Sequence, residues 1–286
     1  MSGRFYGDLL RDSVFRPLGM HDARVISEAD IVPNRAAGYR LANGVLKNQE
    51  WVAPTLNTTA DGALYFTVRD LTRWAIALNH ARMPSPAALD TAWTPVRLSD
   101  GATYPYGFGW SLLPQRDQPR ISHTGSWQGF KSVIARYPKS GLTVIVLANL
   151  AEAQVGAIAY GIAGMIDPRL QAPHLVTSPG GAQPPASIPA LLRTIVAGPD
   201  SASITPRFRQ FLSADLIDWY RGLTAESRQW TFAGCEAITS LRFSYLGSPI
   251  VYVCHARSAR ATGGGTAVSV FYTADWRAAG IEGYGY

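Results

Sequence analysis

A strand–turn–strand pattern constrains the fold of this chain more than any other feature. The apolar run from Leu142 to Asn149 is typical of a buried β-strand. A second strand is predicted over residues 129–137, and the segment between them, Pro138–Gly141, has the composition of a tight hairpin turn. Residues 120–123 read as a further strand just upstream. We therefore predict a sheet of antiparallel neighbours in the middle of the chain.

A polar triplet, His123-Thr124-Gly125, interrupts this apolar pattern and is followed by Ser126 and an aromatic residue. The segment resembles the third conserved box of the serine β-lactamase and penicillin-binding-protein family. In that family Lys-Thr-Gly or His-Thr-Gly lies on the strand that lines the active site. A Gly129-Phe130 pair, the hairpin and the apolar strand follow in the order that this resemblance requires.

Two upstream segments resemble the same family. Tyr6–Met20 reads as a helix that ends in Pro-Leu-Gly-Met, and Ala60–Trp74 reads as a turn that enters a helix bearing Asp-Leu and Trp. The usual paired glycines of that turn are Gly62-Ala63 in this chain. The resemblance covers roughly residues 3 to 170 and includes class C β-lactamases, D-Ala-D-Ala carboxypeptidases and related esterases.

The resemblance implies acyl transfer on an amide or ester, with a role for each residue of the third box. His123 would be the donor or proton-transfer partner, and Thr124 would offer its hydroxyl to a substrate carboxylate. Gly125 would leave space for a substrate lying along the strand, and the Ser126 amide would be one oxyanion-hole donor. The substrate would be a small-molecule or peptide acyl compound such as a D-Ala-D-Ala peptide, a β-lactam or an ester. Neither a metal nor an organic cofactor is implied.

The other two boxes of the family are absent. The three lysines, Lys47, Lys131 and Lys139, have Gly, Gln and Arg three positions earlier, so none completes Ser-x-x-Lys. No asparagine has Tyr or Ser two positions before it, so Tyr-x-Asn and Ser-x-Asn are absent as well. Nothing in the sequence places a base beside Ser126, and we do not predict it to be a replacement nucleophile.

Three hypotheses follow from this gap. The first, which we favour, is an N-terminally truncated serine hydrolase that is inactive by itself. The second is a binding or regulatory pseudoenzyme. The third is a protein completed by a partner chain, because a missing segment would expose a sheet edge and a core face. Such surfaces favour self-association or pairing with a complementing N-terminal fragment.

Further elements of this region are predicted from local patterns. Helices are expected over residues 4–16, 67–80 and 152–166, and the second of these begins with a capping box, Thr67-Val-Arg-Asp70. A short hairpin is expected around Asn43-Gly44, and a strand over residues 106–112. The fold class is therefore α+β, with helices and an antiparallel sheet.

A separate C-terminal domain is predicted. We place a hydrolase-like domain at 1–168, a Pro/Gly-rich linker at 169–188 and a tail domain at 189–286. Helices at 189–197 and 206–222 precede five strands, at 228–234, 237–246, 249–258, 266–274 and 279–285. This order resembles the small cystatin-like or NTF2-like α+β domains appended to some members of the family.

Composition excludes several classes of function. The net charge of +6 is modest, and no Lys/Arg run is dense enough for a nucleic-acid stripe. No apolar stretch reaches the roughly 20 residues that a membrane span needs, and the first residues lack the apolar core of a signal peptide. The resemblance to the serine β-lactamase and penicillin-binding-protein family implies a periplasmic or cell-envelope location, which is common in that family.

The two cysteines, Cys235 and Cys254, lack the spacing and histidine partners of a zinc site. They are expected either as buried thiols on strands or, in an oxidising compartment, as a cross-strand disulfide.

Overall fold

The computed structural model describes residues 3–26, 30–50, 62–80, 83–99, 101, 103–116, 118–171, 183–198, 202–224, 228–238, 243, 246–260 and 265–285. The chain divides into two compact units. One comprises Met1–Val96 with Pro105–Ala172, and the other comprises Arg97–Tyr104 with Pro173–Tyr286.

As far as Leu170, the described elements are, in chain order, α1 (Tyr6–Leu10), a π-helical turn (Arg11–Phe15), β1 (Arg24–Val25), β2 (Tyr39–Ala42), β3 (Val45–Asn48), β4 (Leu64–Tyr65), α2 (Val68–Asn79), α3 (Pro86–Ala92), β5 (Val96–Arg97), β6 (Thr103–Tyr104), β7 (Ile121–Trp127), β8 (Phe130–Tyr137), β9 (Leu142–Ala148) and α4 (Val155–Ile166). Two short 3₁₀ turns, Pro138–Ser140 and Pro168–Leu170, complete this part of the chain.

A three-stranded antiparallel sheet, ordered β7-β8-β9, organises the first unit. Gln128 and Gly129 both have positive φ, 46° and 82°, so the loop between β7 and β8 is a two-residue turn of the primed type that suits the twist of a hairpin. At the other end of β8, Pro138 opens the 3₁₀ turn and Gly141 takes φ 62°. The sequence prediction of consecutive antiparallel strands is confirmed.

The core of this unit lies between the sheet and α4. Side chains of the strands, of the helix and of Leu170 form one buried cluster, whose members are Val133, Ala135, Tyr137, Val144, Val155, Ala159, Ala163 and Leu170. Small residues on α4 allow the helix to approach the sheet closely. The predicted helix over 152–166 is confirmed, with its first turn at Val155.

Two local predictions are confirmed at the level of hydrogen bonds and turn geometry. Thr67 caps α2, since its hydroxyl oxygen accepts from the Asp70 amide and the Asp70 carboxylate accepts from the Thr67 amide. The hairpin of β2 and β3 closes through Asn43 and Gly44, both with positive φ. The helix predicted over 4–16 is present as α1 and the π-helical turn that continues it.

The strand predicted over 106–112 is wrong. This segment forms only isolated bridges, from Tyr106 to Ser111 and from Ser111 to Ser122. Gly109 takes φ 73°, outside the extended region, so the segment folds back on itself instead of running along a neighbour. The aromatic residues that suggested a strand carry high β-propensity wherever they occur.

The second unit continues with α5 (Ile188–Ala197), α6 (Pro206–Gln210), α7 (Ala214–Leu223), β10 (Arg228–Ala237), β11 (Tyr252–Arg260), β12 (Gly265–Tyr272) and β13 (Ala278–Gly285). The four strands form an antiparallel meander in sequence order. Apolar residues of the helices pack on one face of this sheet, among them Leu192, Ile195, Tyr220 and Leu223 against Cys254, Val268 and Val270.

Two predictions for this unit are corrected. The helix predicted over 206–222 is broken between Gln210 and Ala214, because Ser213 is extended and caps α7 with its hydroxyl. The strand predicted over 237–246 is absent from the described residues of that range beyond Ala237. Phe243 instead packs with Ile250 and Phe271 in a small apolar cluster.

Cys235 and Cys254 stand opposite each other on β10 and β11 and form a disulfide. Of the two states left open by the sequence, the structure has the cross-strand bond. No helix among the described residues is both long and apolar enough to cross a membrane.

The linker predicted at 169–188 lies largely outside the described residues, which omit 172–182. Leu170 is buried in the core of the first unit, so that unit extends at least two residues beyond the predicted boundary. The domain limits otherwise stay a prediction, as does the cystatin-like or NTF2-like character of the tail.

Candidate active site

Within the described residues, the outer edge of β7 is open along most of its length. The only bridge to this edge in the described part of the chain joins Ser111 to Ser122, whose backbone groups bond each other at 2.8 and 2.9 Å. The N–H and C=O groups of Ser122 therefore point away from β8. Because these directions alternate along a strand, the backbone groups of Thr124 and Ser126 also point outward. Within the described residues neither has a partner there.

His123 is exposed on one face of this edge strand. Its Nε2 lies 3.0 Å from the hydroxyl oxygen of Tyr106, and the two rings meet edge to face with centroids 6.3 Å apart. Tyr106 therefore limits the orientation of the imidazole and leaves Nδ1 for another partner. The sequence analysis did not identify Tyr106 as a site residue, and no local signal could have done so, because a turn brings it back to β7.

Gly125 faces the same side of the sheet as His123. A Cβ at this position would lie 2.5 Å from Oγ of Ser132, its neighbour on β8. The nearest other atom is Cβ of Ser132 at 3.8 Å, so a side chain at position 125 would require the Ser132 hydroxyl to rotate away but would not meet the backbone of β8. The predicted role of Gly125 in leaving space for a substrate stays a prediction.

Thr124 and Ser126 lie on the opposite face, and both are exposed. The Lys131 ammonium donates to Oγ of Ser126 at 2.6 Å, across the hairpin. The expectation that nothing basic stands beside Ser126 is therefore wrong. A two-residue turn at Gln128-Gly129 places residue 131 opposite residue 126. This strand register was the one sequence signal that could have predicted the contact between Lys131 and Ser126.

Below His123, on the same face of the sheet, Arg136 is almost fully buried. Its Nη2 donates to Oδ1 of Asn79 at 2.7 Å, and its guanidinium carbon lies 4.6 Å from the ring centroid of Trp93. Desolvation lowers the pKa of Arg136. Asn79 ends α2 and Trp93 follows α3, so this arginine fastens both helices to the sheet beside the site.

The groups collected at the β7 edge are mostly hydrogen-bond donors: an imidazole, two hydroxyls, an ammonium and the Ser126 amide. Such a set suits the oxygen of a polarised carbonyl or a carboxylate. The residues that the structure describes contain no group of three or more His, Cys, Asp or Glu side chains that could hold a metal ion.

Comparison with known proteins identifies the family of this chain. A family model described as Beta-lactamase matches residues 1–163, which include the whole β7–β9 sheet. The chain belongs to the Beta-lactamase family. It is 32% identical over 163 residues to penicillin-binding protein 4* of Bacillus subtilis, covering 53% of this chain and 36% of that protein. It is 28% identical over 170 residues to a D-aminopeptidase of Gluconobacter oxydans, covering 56% and 31% of the two chains.

The Beta-lactamase family relationship makes the chain a relative of serine hydrolases that include penicillin-binding proteins. The chain spans only about a third of the length of these two curated relatives. Among solved structures, the octameric penicillin-binding protein homologue from Pyrococcus abyssi aligns with a TM-score of 0.50 at 16% identity, over 95% of this chain and 57% of that one. At this identity the likeness concerns the fold alone.

Proposed function

We propose that the chain belongs to a serine hydrolase that transfers acyl groups from amide or ester substrates. In this proposal the chain contributes the active-site strand that carries the third conserved box, His123-Thr124-Gly125. D-Ala-D-Ala peptides, β-lactams and simple esters are the candidate substrates. One observation carries the proposal: within the described residues the edge of β7 beyond Ser122 has no strand partner, and His123, the Thr124 hydroxyl and an outward-directed Ser126 amide all lie along it. An extended substrate can pair with such an edge like an added strand.

In this proposal each group has a separate task. The Ser126 amide donates to the oxygen that becomes negative when the carbonyl is attacked, and stabilises the tetrahedral intermediate. His123, oriented by Tyr106, donates to or exchanges a proton with the reacting groups. Thr124 donates to a polar group of the substrate. The attacking serine and its lysine belong to the Ser-x-x-Lys box, which these 286 residues lack.

We therefore expect the 286-residue chain to bind substrates without turning them over. The test compares nitrocefin and p-nitrophenyl ester hydrolysis, together with labelling by a fluorescent penicillin, in the 286-residue chain and in a version extended upstream to the next in-frame start. Activity confined to the longer version supports the proposal. Turnover by the short chain contradicts it, because another nucleophile would then act.

Variants of the active, longer version test the site itself. Replacing His123 with alanine should lower kcat/KM by about a hundredfold or more, the range of a lost acid–base group. Tyr106→Phe should cause a smaller loss, because the imidazole stays but is less well oriented. His21, which is exposed in a loop, provides the matched control. Equal activity of the His123→Ala and His21→Ala proteins would remove His123 from the mechanism.

The alternative is a non-catalytic binding or regulatory pseudoenzyme. It is favoured by one observation, that the edge of β7 is intact while two catalytic boxes are absent from the sequence. Substrate binding by the short chain, with no turnover in either version, would support this alternative.

For the rest of the molecule we propose a cystatin-like or NTF2-like tail, which helices followed by a four-stranded meander support. The Cys235–Cys254 disulfide supports export to the periplasm or cell envelope, since such bonds persist in oxidising compartments.

A further inference from the structure

The outer edge of β9, on the opposite side of the sheet from β7, also has no strand partner among the described residues. Ser122 points its backbone groups away from β8, so those of Ala135, its partner on β8, point toward β9. The groups of Val144, opposite Ala135, therefore bond to β8. Alternation along the strand then directs the N–H and C=O groups of three β9 residues outward: Thr143, Ile145 and Leu147.

The sequence of β9 lacks the features that usually protect an edge strand. Charged side chains, prolines or bulges normally prevent one exposed edge from pairing with another. The residues of β9, Leu142–Ala148, include neither a charge nor a proline, and their register with β8 is unbroken. This edge is therefore able to pair with a further strand.

The helix above this edge, α4, has an exposed apolar flank. No residue of Val155–Ile166 is charged, and Ile158 and Met165 are 47% and 78% exposed. The guanidinium carbon of Arg120, just before β7, lies 4.2 Å from the ring centroid of Tyr160, so this tyrosine lies on the β7 side of the helix. Ile158 is about 200° around the helix from Tyr160, and Met165 lies two turns beyond Ile158. The exposed flank is therefore the one beside the open edge of β9.

A second copy of the chain fits this edge. A two-fold axis beside Ile145 would place that residue opposite its own copy, and Thr143 opposite Leu147 of the second copy. All three would then present their outward backbone groups to one another, in the hydrogen-bonded arrangement of antiparallel strands. The uncharged sequence of β9 avoids the like-charge contacts that a two-fold axis would otherwise create.

The same axis brings the two α4 helices to packing distance. The core contacts of α4 come from both β8 and β9, so the helix lies over this pair of strands. With neighbouring strands about 4.8 Å apart, a helix centred over the pair would lie about 10 Å from its symmetry copy. Helices pack against each other at about 8–10 Å. The antiparallel arrangement would set Ile158 against Met165 of the second copy.

We propose that the chain forms a symmetric dimer in which two β9 strands pair edge to edge and the exposed flanks of the two α4 helices pack together. The dimer joins two sheets into one and leaves a β7 edge at each end. The inference does not depend on the proposed function, because β7 and β9 are opposite edges of the sheet.

Sedimentation equilibrium of the purified 286-residue chain tests the association. The measured mass should rise with concentration from 30.9 kDa toward twice that value. Ile158→Glu should raise the dissociation constant of the dimer by about a hundredfold, because a two-fold interface contains the substitution twice. Ile76→Glu is the matched control. Ile76 is also 47% exposed on a helix of the same unit, and its variant should dimerise like the unaltered protein.

A charge exchange tests the orientation of the two helices. Ile158→Glu and Met165→Lys should each weaken the dimer when introduced alone. The double variant Ile158→Glu/Met165→Lys should bind itself about tenfold more tightly than either single variant, because opposite charges then meet across the axis. A double variant that is weaker than both single variants would overturn the proposed packing of the α4 flanks.

Hydrogen exchange tests the strand pairing. The amides of Thr143, Ile145 and Leu147 should become protected as the dimer forms, because they then bond to the second copy. The amides of Val144 and Val146 bond to β8 and should be protected at every concentration, which makes them internal controls.

Three results would overturn the proposal. One is a monomer at every concentration up to about 1 mM, beyond which association is too weak to be specific. Another is a dimer that Ile158→Glu does not weaken, or in which the three outward amides of β9 exchange freely, because a different surface would then form the interface. The third is protection of those amides in a monomeric protein, because another part of the same chain would then cover the edge.

Discussion

Each residue of β7 contributes to the site according to the direction in which its side chain points. His123 and Thr124 are adjacent in sequence but lie on opposite faces of one strand, so under the proposed function they would contact a substrate from different sides. Tyr106 orients the imidazole and Lys131 adds a charge on the hydroxyl face. Residues farther from β7 support the sheet through hydrogen bonds.

Gln115 is the clearest of these supporting residues. Its amide nitrogen donates to the carbonyl oxygens of Tyr160 and Leu170 at 3.1 and 2.7 Å. Its amide oxygen accepts from the Tyr137 hydroxyl at 2.5 Å. Burial raises the pKa of Tyr137 to about 12, so this hydroxyl remains a donor at neutral pH. One side chain thus connects β8, α4 and the turn that follows α4.

Gln115→Ala should therefore lower the opening free energy of this region by about 2–3 kcal/mol, since three hydrogen bonds of about 1 kcal/mol each are lost. Hydrogen exchange of the β8 amides in the folded protein measures this opening free energy. Gln118→Ala, three residues along the same loop, should change exchange little. Similar effects of both substitutions would show that the Gln115 network does not stabilise the sheet.

At the scale of elements, β7 is an edge strand whose outward backbone groups beyond Ser122 have no partner among the described residues. The sheet can offer this edge because α2, α3 and α4 hold its two faces. Arg136 fastens α2 and α3 on one face, and the small residues of α4 pack on the other. The beginning of α2 is specified separately, by its capping box.

Thr67→Ala should destabilise α2 by about 1 kcal/mol, because the substitution removes the hydroxyl that satisfies the Asp70 amide. Thr72→Ala is a matched control within the same helix. Its hydroxyl bonds to the Val68 carbonyl, which already belongs to the helix, so alanine there should be neutral or slightly stabilising. Amide exchange in α2 distinguishes the two. Equal losses would mean that helix composition, not the cap, determines stability.

At the scale of the whole molecule, the chain consists of two units, each with its own hydrophobic core. The core of the second unit is formed by α5, α6 and α7 on the β10–β13 sheet, and its disulfide joins two neighbouring strands. A unit with its own core and covalent link should fold independently.

We expect residues 183–286, a range that retains the Ser187 cap of α5, to unfold cooperatively when expressed alone. The disulfide spans a sequence separation of 19 residues, and its reduction should lower the stability of this fragment by about 3 kcal/mol. Circular dichroism melts with and without reductant measure both effects, and a Cys235→Ala/Cys254→Ala protein should not respond to reductant. A disordered spectrum of the oxidised fragment would contradict the division into two units.

Local signals predicted the elements whose cause is local. The Asn43-Gly44 hairpin and the Thr67 cap were correct because a turn or a cap depends on a few consecutive residues. The strand over 106–112 and the continuous helix over 206–222 were wrong, because propensity does not reveal which backbone groups find partners. For the site, the motif located His123 and Thr124 but neither Tyr106 nor Lys131.

The sequence alone determined the family, the antiparallel sheet and the strand that carries the third box, since periodicity, turn residues and a short motif are all properties of consecutive residues. The tertiary structure decided which edge of that strand is open, which tyrosine meets His123 and which lysine holds Ser126. These depend on strand register and on a loop folding back, and both place in contact residues that are far apart along the chain.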